Sequence, residues 1–135
     1  MPSGESLRAA AFTAMENAYA PYSGFRVGAA LSTRDGKIVP GANVENSAYG
    51  TTVCAETLAV CSAVSQGLKH FDSIAIATEA DRPTPPCGAC RQVLNEFAPE
   101  IEITSYTRGG KSATWKLGEL LPHAFLYDTH VEHGS

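Results

Sequence analysis

No apolar run in these 135 residues approaches the roughly 18 to 20 needed to cross a bilayer as a helix. Basic residues are sparse as well: ten Lys and Arg against fourteen Asp and Glu leave a net charge of −4, with the cations scattered along the chain. A protein that grips a nucleic-acid backbone normally carries a basic footprint. Its absence points to a small-molecule ligand, with neither nucleic acid nor membrane as partner. The stretch Met1-Pro2-Ser3-Gly4-Glu5 lacks the basic-then-apolar order of a secretory signal, so a cytoplasmic location is expected. There a Cys-x-x-Cys pair is more often metal-binding or catalytic than a disulfide.

What the chain does have is concentrated in Cys54-Ala55-Glu56 and Pro86-Cys87-Gly88-Ala89-Cys90. Three thiolates hold a zinc ion and leave one tetrahedral position open; a carboxylate two residues from the first can move protons to and from a water there. That combination reads as metal-assisted hydrolysis. A structural zinc knot would need a fourth ligand at short spacing, and His70, His123, His130 and His133 all lie outside the motifs. They read as solvated surface residues. A redox Cys-x-x-Cys would leave Cys54 and Glu56 without a role. The fourth cysteine, Cys61, follows Cys54 in one helix at roughly 10 Å along the axis. Sulfurs sharing a zinc must lie within about 4.6 Å, so Cys61 is excluded from the site and reads as an ordinary buried small residue.

Helical spacing from Ser6 to Ala20 predicts a first helix, ended by Pro21. Strands are expected at Phe25 to Ser32 and Lys37 to Val44, joined by a turn at Arg34-Asp35-Gly36-Lys37. A polar loop leads to a helix from Cys54 to about Gln66, with Gly67 as its stop. A buried strand over Ser73 to Thr78, a helix from Cys87 or Gly88 to about Phe97, strands at Ile101 to Tyr106 and Ser112 to Lys116, and a helical turn near Leu117 to Leu121 complete the order. Such alternation indicates an α/β sandwich with one mixed sheet, a single domain over 1–135 whose residues 128–135 form a loose tail. Both cysteine motifs fall at helix starts, where free N–H groups and the helix dipole favour thiolates.

At these residues the sequence resembles the zinc-dependent cytidine deaminases of the small homotetrameric kind, whose general signature is a Cys or His, a Glu and Pro-Cys-x-x-Cys. The likeness rests on Tyr22-Ser23-Gly24-Phe25-Arg26-Val27-Gly28-Ala29-Ala30-Leu31, Asn43-Val44-Glu45-Asn46, Cys54-Ala55-Glu56, Pro86 through Gln92, and Leu120-Leu121-Pro122-His123-Ala124-Phe125. It implies a three-layer α/β/α sandwich with about five strands, one zinc per subunit on Cys54, Cys87 and Cys90, and Glu56 as proton shuttle. It also implies that Phe25 packs on the pyrimidine, that Asn43 and Glu45 bind ribose hydroxyls, and that the Ala55 N–H meets the cytosine carbonyl. Phe125 would reach the ring of a neighbouring subunit, in a homotetramer with shared active sites. The implied reaction is deamination of cytidine and deoxycytidine in pyrimidine salvage. Deamination of a blasticidin-like aminoacyl nucleoside is the alternative within the class, and a non-catalytic zinc-binding module the alternative outside it.

One position departs from the family pattern. Relatives usually carry Arg, sometimes Gln, after the catalytic Glu, donating to the zinc-bound thiolates; here it is Thr57. A hydroxyl is neutral and gives one such bond, so the thiolates are less compensated, or room is left for a bulkier substrate. Arg91, beside Cys90, is the candidate to restore the missing charge.

Overall fold

The computed structural model describes residues 2–127; His130, His133 and the expected tail lie outside them. Helix α1 (Gly4–Glu16) begins at Ser3, whose hydroxyl accepts the Ser6 N–H at 3.1 Å as an N-cap. It is followed by β1 (Val27–Thr33), β2 (Ile38–Ala42), α2 (Ala55–Ser65), β3 (Phe71–Thr78), α3 (Gly88–Phe97), β4 (Glu102–Thr107), β5 (Ser112–Lys116) and α4 (Leu117–Leu120). The five strands form one sheet in the order β2-β1-β3-β4-β5, with β3 and β4 parallel and the other pairs antiparallel. Pro40, which has no N–H to give a ladder, is tolerated because β2 is an edge.

Helix α1 covers one face, where Leu7, Ala11 and Met15 meet Ala30, Ala75 and Ala77. The larger core lies on the other face, where α2 and α3 bring Ala55, Ala59, Val60 and Leu94 against Leu31, Ile74, Ile76 and Ile103. This is the expected three-layer sandwich around one mixed sheet. Strand β1 is buried from Gly28 to Thr33 because helices cover it from both sides.

Two of the boundaries that differ from the sequence expectation share one reason. Helix α1 stops at Glu16 because the following chain pairs elsewhere: Tyr19 N–H donates to Asn43 O at 2.9 Å, and Glu45 N–H to Tyr19 O at 2.8 Å. Strand β1 starts at Val27, and Phe25 stays outside it. The Asn43 amide bridges that junction, accepting from Val27 N–H and donating to Phe25 O, both at 2.9 Å. Cys61 also differs: it is exposed. Helix α2 buries Ala55, Ala59, Val60 and Ala63, and at about 100° per residue position 61 falls on the opposite side.

Gly41 sets how closely α2 approaches the sheet. A Cβ there would lie 2.4 Å from Ala55 O and 2.6 Å from Ala59 N, so only glycine lets the first turn of α2 settle on β2. At the other end of the helix Gly67 takes φ +84°, the left-handed stop expected there.

Candidate active site

Cys54 is the N-cap of α2 and Cys87 the N-cap of α3. Cys90 follows in the first turn of α3 and is fully buried. The two helix starts converge, and the three Sγ atoms lie within 4.8 Å of one another, Cys54 and Cys87 at 3.9 Å. Zinc–sulfur bonds of about 2.3 Å at a tetrahedral angle place sulfurs roughly 3.8 Å apart, so the donor set fits the ion. Among the described residues no other group of three His, Cys, Asp or Glu side chains could hold a metal.

Burial, and then the charge of Glu56, push the Cys90 thiol well above its ordinary value, against the pull of a hydrogen bond with Thr57. Burial, and then Cys87, raise Cys54. Burial also opposes the Cys87 thiolate, but hydrogen bonds involving Cys90 and Cys54 outweigh it and lower that pKa. Three adjacent thiolates are therefore stable together only around a cation, whose binding displaces protons.

Glu56 stands in the first turn of α2 and is 6% exposed. Burial raises its carboxyl above the ordinary value of 4.5, because a desolvated site disfavours the charged form. It shares with Cys54, Cys87 and Ala55 the wall of a cavity of about 320 Å³. The cavity opens at the carboxyl end of β3, past Ile76 and Thr78, where parallel-strand sheets commonly bind ligands.

The fold also brings Phe25, Asn43 and Glu45 to the lining of this cavity. Glu45 is held by three donors: Tyr22 N–H at 2.9 Å and Ser23 N–H at 3.0 Å on Oε1, and the Ser23 hydroxyl on Oε2. The hydroxyl first, then the backbone, keep its pKa below the ordinary value. Ser23 had no role in the sequence reading; it was legible only as part of a longer matching segment, because its partner is 22 residues away.

Thr57 Oγ1 lies 3.2 Å from Cys90 Sγ, and other residues line the cavity. Two backbone carbonyls direct the Arg91 guanidinium. Its Nε donates to Pro86 O at 2.8 Å and its Nη1 to Leu120 O at 2.9 Å, and among the described residues none of its hydrogen bonds goes to a cysteine. Phe125 also stands apart: it is 72% exposed and outside the cavity of its own chain.

The model of the "Cytidine and deoxycytidylate deaminase zinc-binding region" matches residues 1–105. A cytidine deaminase of Halalkalibacterium halodurans is 46% identical over 116 residues, covering 85% of this chain and 88% of that one. A blasticidin-S deaminase of Bacillus cereus is 36% identical over 104 residues, covering 71% and 74%. The crystal structure of a cytidine deaminase from Burkholderia pseudomallei superposes with a TM-score of 0.88 at 46% identity, covering 91% of this chain and 99% of that one. With its three sulfurs, its buried glutamate and these relatives, the chain belongs to the zinc-binding cytidine and deoxycytidylate deaminase family.

Proposed function

We propose that the protein hydrolytically deaminates cytidine and deoxycytidine to uridine and deoxyuridine. The observation that carries this reading is the buried Glu56 carboxyl on the same cavity wall as Cys54 and Cys87. A non-catalytic zinc module has no use for a carboxyl whose burial raises its pKa.

Cys54, Cys87 and Cys90 would hold the zinc, which when bound supplies a water acidified towards neutrality. Glu56 takes a proton from that water and delivers it to N3 of the pyrimidine, leaving C4 open to attack. After the water oxygen has added at C4, Glu56 passes the remaining proton to the 4-amino group, and ammonia departs. The N–H of Ala55, in the first turn of α2, is among the donors without a helical partner and faces the cytosine carbonyl. Phe25 stacks against the ring.

The ribose end follows from counting lone pairs. A carboxylate offers about four acceptor sites; three on Glu45 are taken, so one hydroxyl can donate to it. Asn43 spends one N–H on Phe25 O and has one left. Both remaining groups suit a single hydroxyl, the 3′, which cytidine and deoxycytidine share. Among the described residues no lysine or arginine lines the cavity, and the Glu45 charge repels a 5′-phosphate, so nucleosides are favoured over nucleotides.

We take the whole of 1–135 as one catalytic domain that works as a cytoplasmic homotetramer in pyrimidine salvage. Tyr22 and Tyr49 are exposed and meet edge to face at 6.1 Å, which supports association, since exposed apolar patches commonly mark interfaces. The blasticidin-like reading gains nothing from Thr57, which faces Cys90. Following the ultraviolet spectrum of cytidine, deoxycytidine, cytosine, CMP and blasticidin S with zinc-loaded protein tests the proposal. Loss of the cytidine and deoxycytidine signals is expected; conversion of free base or nucleotide alone would overturn the ribose assignment.

A further inference from the structure

Two residues that follow Cys90 tie the zinc-binding turn to the far end of the described chain. Arg91 joins Pro86 O, just before Cys87, to Leu120 O at the end of α4. Gln92 clamps the backbone of residue 125 on both sides: its Nε2 donates to Phe125 O at 2.9 Å and its Oε1 accepts Phe125 N–H at 3.3 Å. Among the described residues these two bonds are the hydrogen bonds that hold 122–127. Within one chain packing adds little to them, because Phe125, Leu126 and Tyr127 are 72%, 45% and 93% exposed. Side-chain amides that pair with a backbone in this way fix its path without burying its side chains.

From this juxtaposition we propose that Arg91 and Gln92 are positioning residues that make the Cys87–Cys90 turn and the 120–125 segment one mechanical unit. Arg91 sets the direction in which the chain enters Cys87 and the cavity wall at Pro85. Gln92 sets where residue 125 lies against α3. Zinc loading, which immobilises Cys87 and Cys90, therefore orders 120–125, and by linkage any change that frees 120–125 weakens zinc retention. The proposal rests on the zinc site described above.

Hydrogen exchange of the full chain tests it, with zinc-loaded protein compared to protein stripped by pyridine-2,6-dicarboxylate. Zinc should slow exchange at 121–125 in the wild type, with β1 as an internal control. Gln92→Leu, which removes both bonds, should abolish that zinc-dependent protection and speed zinc transfer to a chromophoric chelator by about 10-fold. Gln92→Glu, which keeps only the acceptor for Phe125 N–H, should fall between them and covers the case in which the leucine variant does not fold. Zinc content is measured on every sample. Bound zinc with unmoved exchange at 121–125 in the wild type, or full protection in both variants, overturns the inference alone. A wild-type chain that takes up no zinc overturns the functional reading and the inference together.

Discussion

The hydroxyl of Thr57, on α2, lies 3.2 Å from the sulfur of Cys90, on α3. Cys90 is the fully buried member of the three-sulfur cluster, and its thiolate has most to gain from a donor. Thr57 is thus placed to donate to one sulfur of the cluster.

Thr57→Val keeps the shape and removes the donor, so zinc affinity should fall by about 10-fold, the lower end for partners of metal ligands. Competition with a chromophoric chelator measures it, and Thr57→Ser should restore most of the loss. Equal affinity in all three proteins would leave the hydrogen bond without a role at the metal.

Glu56→Gln preserves volume and removes the proton carrier. Deamination should drop by roughly 10²- to 10⁴-fold, the usual contribution of a general acid–base group, while zinc content stays at one per chain. Turnover within a few-fold of the wild type would remove Glu56 from the mechanism.

Replacing Glu45 by Gln takes away a charged acceptor, so kcat/KM should fall by at least about 10-fold. Because only one acceptor site remains on Glu45, the loss should be equal for cytidine and deoxycytidine. Ser23→Ala should raise KM more than it lowers kcat. A loss confined to cytidine would move the contact to the 2′-hydroxyl. Glu45 has a pKa held below 4.5, so it stays ionised through neutral pH and contributes no pH dependence to KM there.

Acid stability should follow the cluster of Glu16, Arg26, Glu79 and Arg108. The hydrogen bond from Arg108 lowers the pKa of Glu16, and that from Arg26 lowers Glu79, each from an ordinary 4.5. Depressed carboxyls stabilise the fold above the unfolded value and lose that contribution as pH falls through the folded one. The melting temperature should therefore decline below about pH 4.5, and Glu79→Gln should flatten the decline with little change at neutral pH, since exposed pairs contribute little there. Parallel pH curves for the two proteins would rule the cluster out as a source of acid sensitivity.

The local rules of the chain were enough to place the sulfurs. Cys54 and Cys87 cap helices because each directly precedes an uninterrupted helical run, and Cys61 is kept from the metal by the rise of one helix. The strand order could not be read from composition, but alternating helices and strands already implied a mixed sheet between helical layers. Everything that depends on a side chain meeting a distant backbone was decided in three dimensions. Helix α1 ends early because Tyr19 pairs with Asn43 and Glu45; Ser23 acts through Glu45; and Arg91 turns to Pro86 and Leu120 instead of the thiolates. Spacing along a helix determines which ligands can share an ion, because rise per residue is constant. The direction a guanidinium or an amide takes depends on which unpaired carbonyls the packed chain brings within reach, and no local pattern encodes that.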